Sequence, residues 1–335
     1  MNSLLSGFRE LVRGEKLMAY DDPRALGTSL SLEEAVPLVT AFAGQLAARH
    51  GVRMLVLKGP QAAADGLRGP RSSYDADLLV DPSQLDLFVE ALGRAGWTTR
   101  PAPGFPMLLP PHSVSLSHPG WSVDIDLHWN WPGFLMLEAD AFEILWNRRR
   151  RVQLAGAPID VPSRADAALI LALHVLRESR NLTQVRRRAA EYQFLVEAVN
   201  ADPSTRALVR DYARELNAEQ TANPFLRALG FTDFEQPSAD AEYDQHLQAW
   251  LLHQASDHAV AGWVHELSRA PLWRKPLVAV HAVFPSPQAL RAADPFIGAG
   301  PWQLARGWWR RTRRGLRTAA SARKALQRTT ELHAS

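Results

Sequence analysis

Arg71-Ser-Ser-Tyr-Asp-Ala-Asp-Leu-Leu-Val80 is the stretch on which the fold turns, and it reads as a β-strand with two unlike faces. Side chains on a strand alternate, so Asp75 and Asp77 point the same way, about 7 Å apart at their Cα atoms, while Ala76, Leu78 and Val80 point the other way. Val123-Asp-Ile-Asp-Leu-His-Trp129 repeats the pattern. Asp124, Asp126 and His128 share one face there, and Val123, Ile125, Leu127 and Trp129 share the opposite one. Upstream, the apolar run Val52 to Leu57 ends in Lys58-Gly59-Pro60, a turn that leads into a short helix over residues 61–65.

Two such strands side by side gather several carboxylates into a small volume. The repulsion is relieved by Mg²⁺ or Mn²⁺, hard cations that take oxygen ligands and keep water or phosphate oxygens in their shell. A pair of such ions roughly 3.5–4 Å apart can serve an in-line displacement at phosphorus. A single Asp-x-Asp is commonplace as a solvated strand end. Here the second acidic strand and the glycine turn set the pattern apart.

Around this nucleus the chain alternates elements without the regularity of a doubly wound parallel sheet. A helix opens at Ser31-Leu-Glu-Glu34 and runs to His50, and Asp81-Pro-Ser83 caps another over residues 84–95. A strand starts at Trp97. After a proline-rich loop, residues 112–118 and 121–129 form a hairpin turned at Pro119-Gly120. A short helix over 139–146 and a strand pair within 151–161 follow. The expected fold is α+β: an N-terminal mixed sheet with helices packed on one side, then a helical C-terminal domain. Its first helix begins at the box Ser163-x-x-Asp166 and is apolar nearly all round from Ala167 to Leu176. The next, over 183–199, turns Val185, Ala189, Tyr192, Phe194, Leu195 and Val199 inward and Arg186 to Arg188 outward. The boundaries read as an extension over 1–30, a sheet domain over 31–161, a helical domain over 162–300 and a basic tail over 301–335.

Leu57-Lys58-Gly59, then Arg71 ahead of Asp75-Ala-Asp77-Leu-Leu-Val80, then Ile125-Asp126-Leu-His128-Trp129, resembles the nucleotidyltransferase superfamily whose catalytic fold is shared with DNA polymerase beta. Within it, the likeness is to the bacterial group of uncharacterised nucleotidyltransferases, and it covers residues 35–198 well and 284–314 loosely. The resemblance implies that Asp75, Asp77 and Asp126 are the catalytic, metal-binding carboxylates, with Asp124 outside the usual pattern. It implies that Lys58 and Gly59 lie at the phosphates of a nucleoside triphosphate, ATP being the first to test. The wider superfamily has Gly-Ser or Gly-Gly at the turn, whereas Gly59 precedes Pro60. Phosphate contacts would then come from backbone N–H groups, from Lys58, or from Arg71, Ser72 and Ser73.

The implied reaction is metal-dependent transfer of NMP from an NTP to an acceptor that the sequence does not identify: small molecule, peptide, protein or RNA. Asp126 would help take the acceptor's proton. The alternatives from other classes are an inactive nucleotide- or RNA-binding module of the same fold, and a metal-dependent phosphohydrolase that uses water. Lys58 reads equally as a phosphate ligand or as the cation that balances the acids. His128 reads as a partner that orients Asp126 rather than as a ligand. The resemblance also puts a histidine on the first helix of the helical domain and an acid on the second, where His174 and Glu191 fall. The plainer readings are a packed histidine and a surface partner for Arg187 or Arg188. His112 and His118 read as loop residues.

Bulk properties exclude other classes. With 335 residues and 46% hydrophobic content the chain can bury a full core, and with no cysteine it has no disulfide, thiolate metal site or cysteine nucleophile. No Gly-x-Gly-x-x-Gly, Walker-type or Gly-x-Ser-x-Gly sequence occurs. No run is apolar enough to span a membrane and no signal peptide opens the chain, so a cytoplasmic location is the default. The net charge of +3 is uneven: from Pro301 onward there are nine Lys or Arg and one acid. That tail interleaves tryptophan with arginine, which suits packing on the helical domain, an anionic lipid surface or RNA.

Overall fold

The computed structural model describes residues 30–69, 71, 73–100, 109, 111–177, 182–234, 241–255, 263, 266–267, 270–287, 290, 300–310 and 312–313. Ser72 of the expected phosphate segment lies outside them, as does the N-terminal extension. The first helix, α1, spans Leu32–Arg49 and starts on a capping box in which the Ser31 N–H and hydroxyl both donate to Glu34. Strand β1 (Met54–Val56), helix α2 (Gly59–Ala64), strand β2 (Asp75–Val80), helix α3 (Leu85–Arg94) and strands β3 (Thr98–Thr99), β4 (Ser113–Ser117) and β5 (Asp124–His128) complete the sheet region. Helix α4 (Glu138–Asn147) leads to a separate two-stranded hairpin, β6 (Arg150–Leu154) and β7 (Ala157–Val161).

The main sheet has the order β1-β2-β5-β4-β3. It is mixed: β2 and β5 run parallel, and the other neighbours run antiparallel. Strict alternation sorts its side chains into two cores. The back face, with Met54, Val56, Ala76, Leu78, Val80, Ile125 and Leu127, packs against α1, α3 and the β6–β7 hairpin. On the front face, Leu55, Leu57 and Leu79 join Trp131, Phe142 and the helices that follow. Each such aliphatic side chain, fully removed from water, contributes about 1.5–3 kcal/mol before the entropy of ordering is subtracted.

Helices α5 (Arg164–Arg177), α6 (Leu182–Asn200), α7 (Pro203–Glu215), α8 (Asn223–Ala228), α9 (Ala241–Ala255) and α10 (Lys275–Val283) form the helical C-terminal region. Gly133 marks its closest approach to the sheet region. At φ +105° a Cβ there would stand 2.8 Å from Leu173 and 3.2 Å from Trp250, so only glycine lets the loop pass under α5 and α9. No helix among the described residues is long and apolar enough to cross a membrane.

The inward face of α6 differs from the expected set. Phe194 and Ala189 are exposed, while Leu195, Val196 and Val199 are buried with Tyr192 half-buried beside them. Residues 192, 195, 196 and 199 follow the i, i+3, i+4, i+7 spacing of one helical stripe, and Phe194 falls off it. Arg188 is half-buried rather than outward, and the side chains of Val185, Arg186 and Arg187 lie outside the description.

At the start of α5, Asp166 is wholly buried. It accepts from the Ser163 hydroxyl at 2.6 Å and from Arg148 at 2.7 Å, and Ser163 Oγ in turn accepts from the Asp166 N–H at 3.2 Å. Burial outweighs these partners and pushes the carboxyl up to about 6. An acid whose folded-state pKa is raised favours folding while it is protonated, so its contribution is complete below pH 4 and is lost as pH rises through 6. Asp166→Asn should therefore lack roughly 2–3 kcal/mol of pH dependence that the parent chain shows between pH 4 and 6. Urea denaturation of both proteins across that range measures it, and parallel curves would contradict it.

Candidate metal and phosphate site

The geometry of the acidic face follows from the β2–β5 register. Those strands pair Asp75 with Asp124, Asp77 with Asp126 and Leu79 with His128. Parallel neighbours in register keep the same facing, so the carboxylates of Asp77 and Asp126 must meet. The hairpin partner β4 sets Ser115 opposite Asp126, and its hydroxyl donates to Asp126 Oδ1 at 2.9 Å.

Asp77, Asp126 and His128 each bring a potential ligand atom to within 4.8 Å of the others. His128 Nε2 lies 3.2 Å from Asp126 Oδ2 and 3.4 Å from Asp77 Oδ1, where it can donate to either carboxylate. Its ring is 1% exposed, stacked on His112 at 6.0 Å and met by the edge of Trp131 at 4.9 Å. Nδ1 has no hydrogen-bond partner among the described residues. His112 thus belongs to the wall of the site, although it sits in a loop as expected, and its Nε2 faces Arg177 at 3.0 Å. His118 is remote from the acids, receiving the Gly120 N–H in the hairpin turn.

Lys58 supplies the opposing charge. Its Nζ is 2.8 Å from Asp77 Oδ1, with both side chains 7% exposed, and it stands 5.0 Å from the centre of the Trp131 ring. It also lies 3.4 Å from His174 Nδ1. The backbone at Lys58 has φ 45° and that at Gly59 has φ 57°, so the turn carries a lysine in a conformation that normally selects glycine. The buried ion pair offsets that strain. The sequence left two roles open for Lys58, and in this arrangement it balances the acids.

The titration directions fit this picture. Burial disfavours the charged form of Asp77, yet Lys58 and then His128 hold its pKa below the usual value. Asp126 is likewise opposed by burial, but His128, Ser115 and Lys58 bring it down to about 2. Asp75 moves up instead, through burial and then the charge of Asp77. It lies on the same face but does not join the cluster of Asp77, Asp126 and His128. Burial, then the charges of Lys58, Arg177, Arg71 and Arg68, keeps His174 neutral by lowering it well below 6.5, so its Nδ1 can accept from Lys58.

Two expectations resolve into contacts the sequence did not reveal. Arg71 pairs with Glu191 of α6, which ties the loop before β2 to the helical region. Asp124 accepts from Nε and Nη2 along one edge of the Arg100 guanidinium, at 2.8 and 2.9 Å, and lies outside the acidic cluster. Trp131, Ser115, Arg100 and Arg177 had not been singled out. The expected turn at Pro119-Gly120 sets Ser115 across from Asp124, and the observed register, with a connection two residues longer, sets it across from Asp126 instead. Ser73 is half-buried near the strand entry.

Hard carboxylate oxygens from neighbouring strands, with Asp75 driven upward by burial and by its neighbour's charge, suit a divalent cation such as Mg²⁺ or Mn²⁺. A family model described as "Uncharacterised nucleotidyltransferase" matches residues 32–229, more than half the chain. Among solved structures the chain is similar to an antigenic nucleotidyltransferase-like protein from Paracoccidioides brasiliensis, at 12% identity and a TM-score of 0.34, over 58% of this chain and 93% of that one. A likeness of that size carries no argument. No curated protein matches.

Asp77→Asn would leave the buried Lys58 ammonium without its closest counter-charge, and a broken buried pair costs roughly 3–5 kcal/mol. Adding Lys58→Met should recover part of that loss, giving a coupling of more than about 1 kcal/mol in a double-mutant cycle by chemical denaturation. Simple additivity would mean that Asp77 does not hold Lys58.

Proposed function

The chain belongs to the family of uncharacterised nucleotidyltransferases, and from that premise and its acidic face we propose that it is a divalent-metal-dependent nucleotidyltransferase, moving NMP from an NTP to an acceptor oxygen. The observation that carries the reading is the register that sets Asp77 beside Asp126, with His128 against both. Residues 31–161 are the catalytic unit, 162–300 its helical partner, and ATP the first donor to test.

Asp77 and Asp126 would hold the metal, with Asp75 beside them on the same face. Bound there, Mg²⁺ or Mn²⁺ supplies Lewis acidity to phosphoryl oxygens and lowers the pKa of an attacking hydroxyl. The chain's own groups do the rest. His128 and Ser115 fix the Asp126 carboxylate through hydrogen bonds to its two oxygens, and so set the direction of its lone pairs. With its pKa near 2, Asp126 is a poor proton acceptor at neutral pH, which favours a ligand role over the base role its position first suggested. Asp75, whose pKa is raised, is the better-matched acceptor for the attacking hydroxyl's proton.

The triphosphate falls to the positive rim. Lys58 and the Gly59 backbone would meet it at one side and Arg71 with Ser73 at the entry to β2, Ser72 of the same expected segment lying outside the described residues. The Arg71 guanidinium suits two phosphate oxygens at once. Its pairing with Glu191 couples that rim to the helical region, so that nucleotide and helix would share one cation.

Incubation of the purified chain with each NTP, Mg²⁺ or Mn²⁺ and a cell extract, followed by mass spectrometry for added NMP, tests the reading. Asp126→Asn should cut transfer of α-labelled NMP by more than about a hundredfold, while Asp124→Asn leaves it within about twofold. Full transfer by Asp126→Asn would overturn the assignment. NTP binding without pyrophosphate release would instead mark a binding module, and release of NMP without an acceptor would mark a hydrolase.

A further inference from the structure

The C-terminal helices present a surface that the acidic site does not use. Leu277 and Val280 of α10 are 53% and 54% exposed, with Trp273 one turn before them 79% exposed and Phe284 one turn after them 56% exposed. Leu277 and Val280, three residues apart, share one side of α10, and Trp273 in the turn before it and Phe284 at its C-cap flank them. Residues 301–313 are helical where described, and a spacing of four, three and four residues brings Trp302, Arg306, Trp309 and Arg313 onto one face of that segment. Trp302 is 86% and Trp309 68% exposed. The intervening Trp308 behaves otherwise: its indole N–H donates to Pro285 O at 3.1 Å and its ring meets Phe284 edge-on at 6.1 Å. One tryptophan therefore joins the two segments, and its neighbours Trp302 and Trp309 turn their rings to water.

We propose that this surface docks on an anionic lipid bilayer. Charge and side-chain type select that occupant together. Between Glu266 and Glu331 the sequence carries thirteen Lys or Arg and a single acid, Asp294. Of these, Arg274, Lys275, Arg306, Arg310 and Arg313 are among the described residues, and an excess of one sign repels a second copy of the chain, so self-association is disfavoured. Single-stranded RNA would be held by phosphate contacts and by flat rings that stack on bases, but Leu277 and Val280 offer nothing to stack. A bilayer interface uses every group present: anionic headgroups take the guanidinium ions, tryptophan rings settle at headgroup depth, and aliphatic side chains enter the acyl boundary.

The test is vesicle flotation of the full chain with phosphatidylcholine alone and with added phosphatidylglycerol. Binding is expected only to the anionic vesicles, and it should fall in 0.5 M salt. Trp302→Ser with Trp309→Ser, and separately Leu277→Ser with Val280→Ser, should each weaken it at least tenfold with an unchanged far-UV circular dichroism spectrum. Brominated lipid should quench tryptophan emission of the parent and much less that of the double tryptophan variant. Failure to float with anionic vesicles overturns the proposal, as does unchanged binding by both variants. A tail-dependent RNA shift that lipid does not compete away, or dimerisation abolished by Leu277→Ser with Val280→Ser, also overturns it. None of these readouts depends on nucleotidyl transfer, so the two readings fail separately.

Discussion

Like charges set opposite each other on parallel strands are the constraint around which the rest of the sheet region is arranged. With β2 and β5 in register, the chain cannot keep Asp77 and Asp126 apart without breaking the ladder. Coulomb repulsion between buried carboxylates at such range is several kcal/mol even at an effective dielectric near 20. The protein answers with donor groups from three directions. Lys58 reaches in from the turn after β1, His128 from β5 itself, and Arg100 draws Asp124 away to the sheet's outer side. The unusual backbone at Lys58 belongs to the same answer, because a lysine in a glycine-like conformation persists where the ion pair holds it.

The front face changes character along its length, and that change positions the helical region. Its acidic end holds Asp75, Asp77, Asp124 and Asp126. Two residues further along, Leu79 is buried against the helical core and His128 against Trp131. Helices therefore cover the apolar half and stop where the carboxylates begin. Trp131 stands at the border: its indole N–H donates to Ile170 O of α5 at 3.2 Å, while its ring faces Lys58, His128, His174 and Arg177. Burial of one large ring thus fixes the distance between the helical region and the acids.

The acidic strands, their facing and the order of elements were legible because period-two alternation is a local property. Asp75 to Val80 forms the expected strand residue for residue. The parallel pairing of β2 with β5 was not legible, since nothing within either segment states which neighbour it takes. The partners were harder still. Arg71 lies 120 residues from Glu191, and Lys58 lies 116 residues from His174, so only the tertiary fold introduces them. Phe194 misled for a related reason. A bulky aromatic suggests the core, but the stripe of Tyr192, Leu195, Val196 and Val199 already fills that face of α6.

The same separation explains why the place of one histidine was legible and that of another was not. His128 shares a strand face with Asp126, so its role in orienting that carboxylate follows from alternation alone. His112 shares no element with any acid. Its place beside His128 arises because the hairpin brings the entry to β4 alongside the exit from β5, where Trp129 N–H donates to His112 O. A ring stacked on His128 and facing Arg177 therefore sits between the sheet and α5. That sequence of contacts gives the helical region a physical route to the carboxylates which does not pass through Lys58.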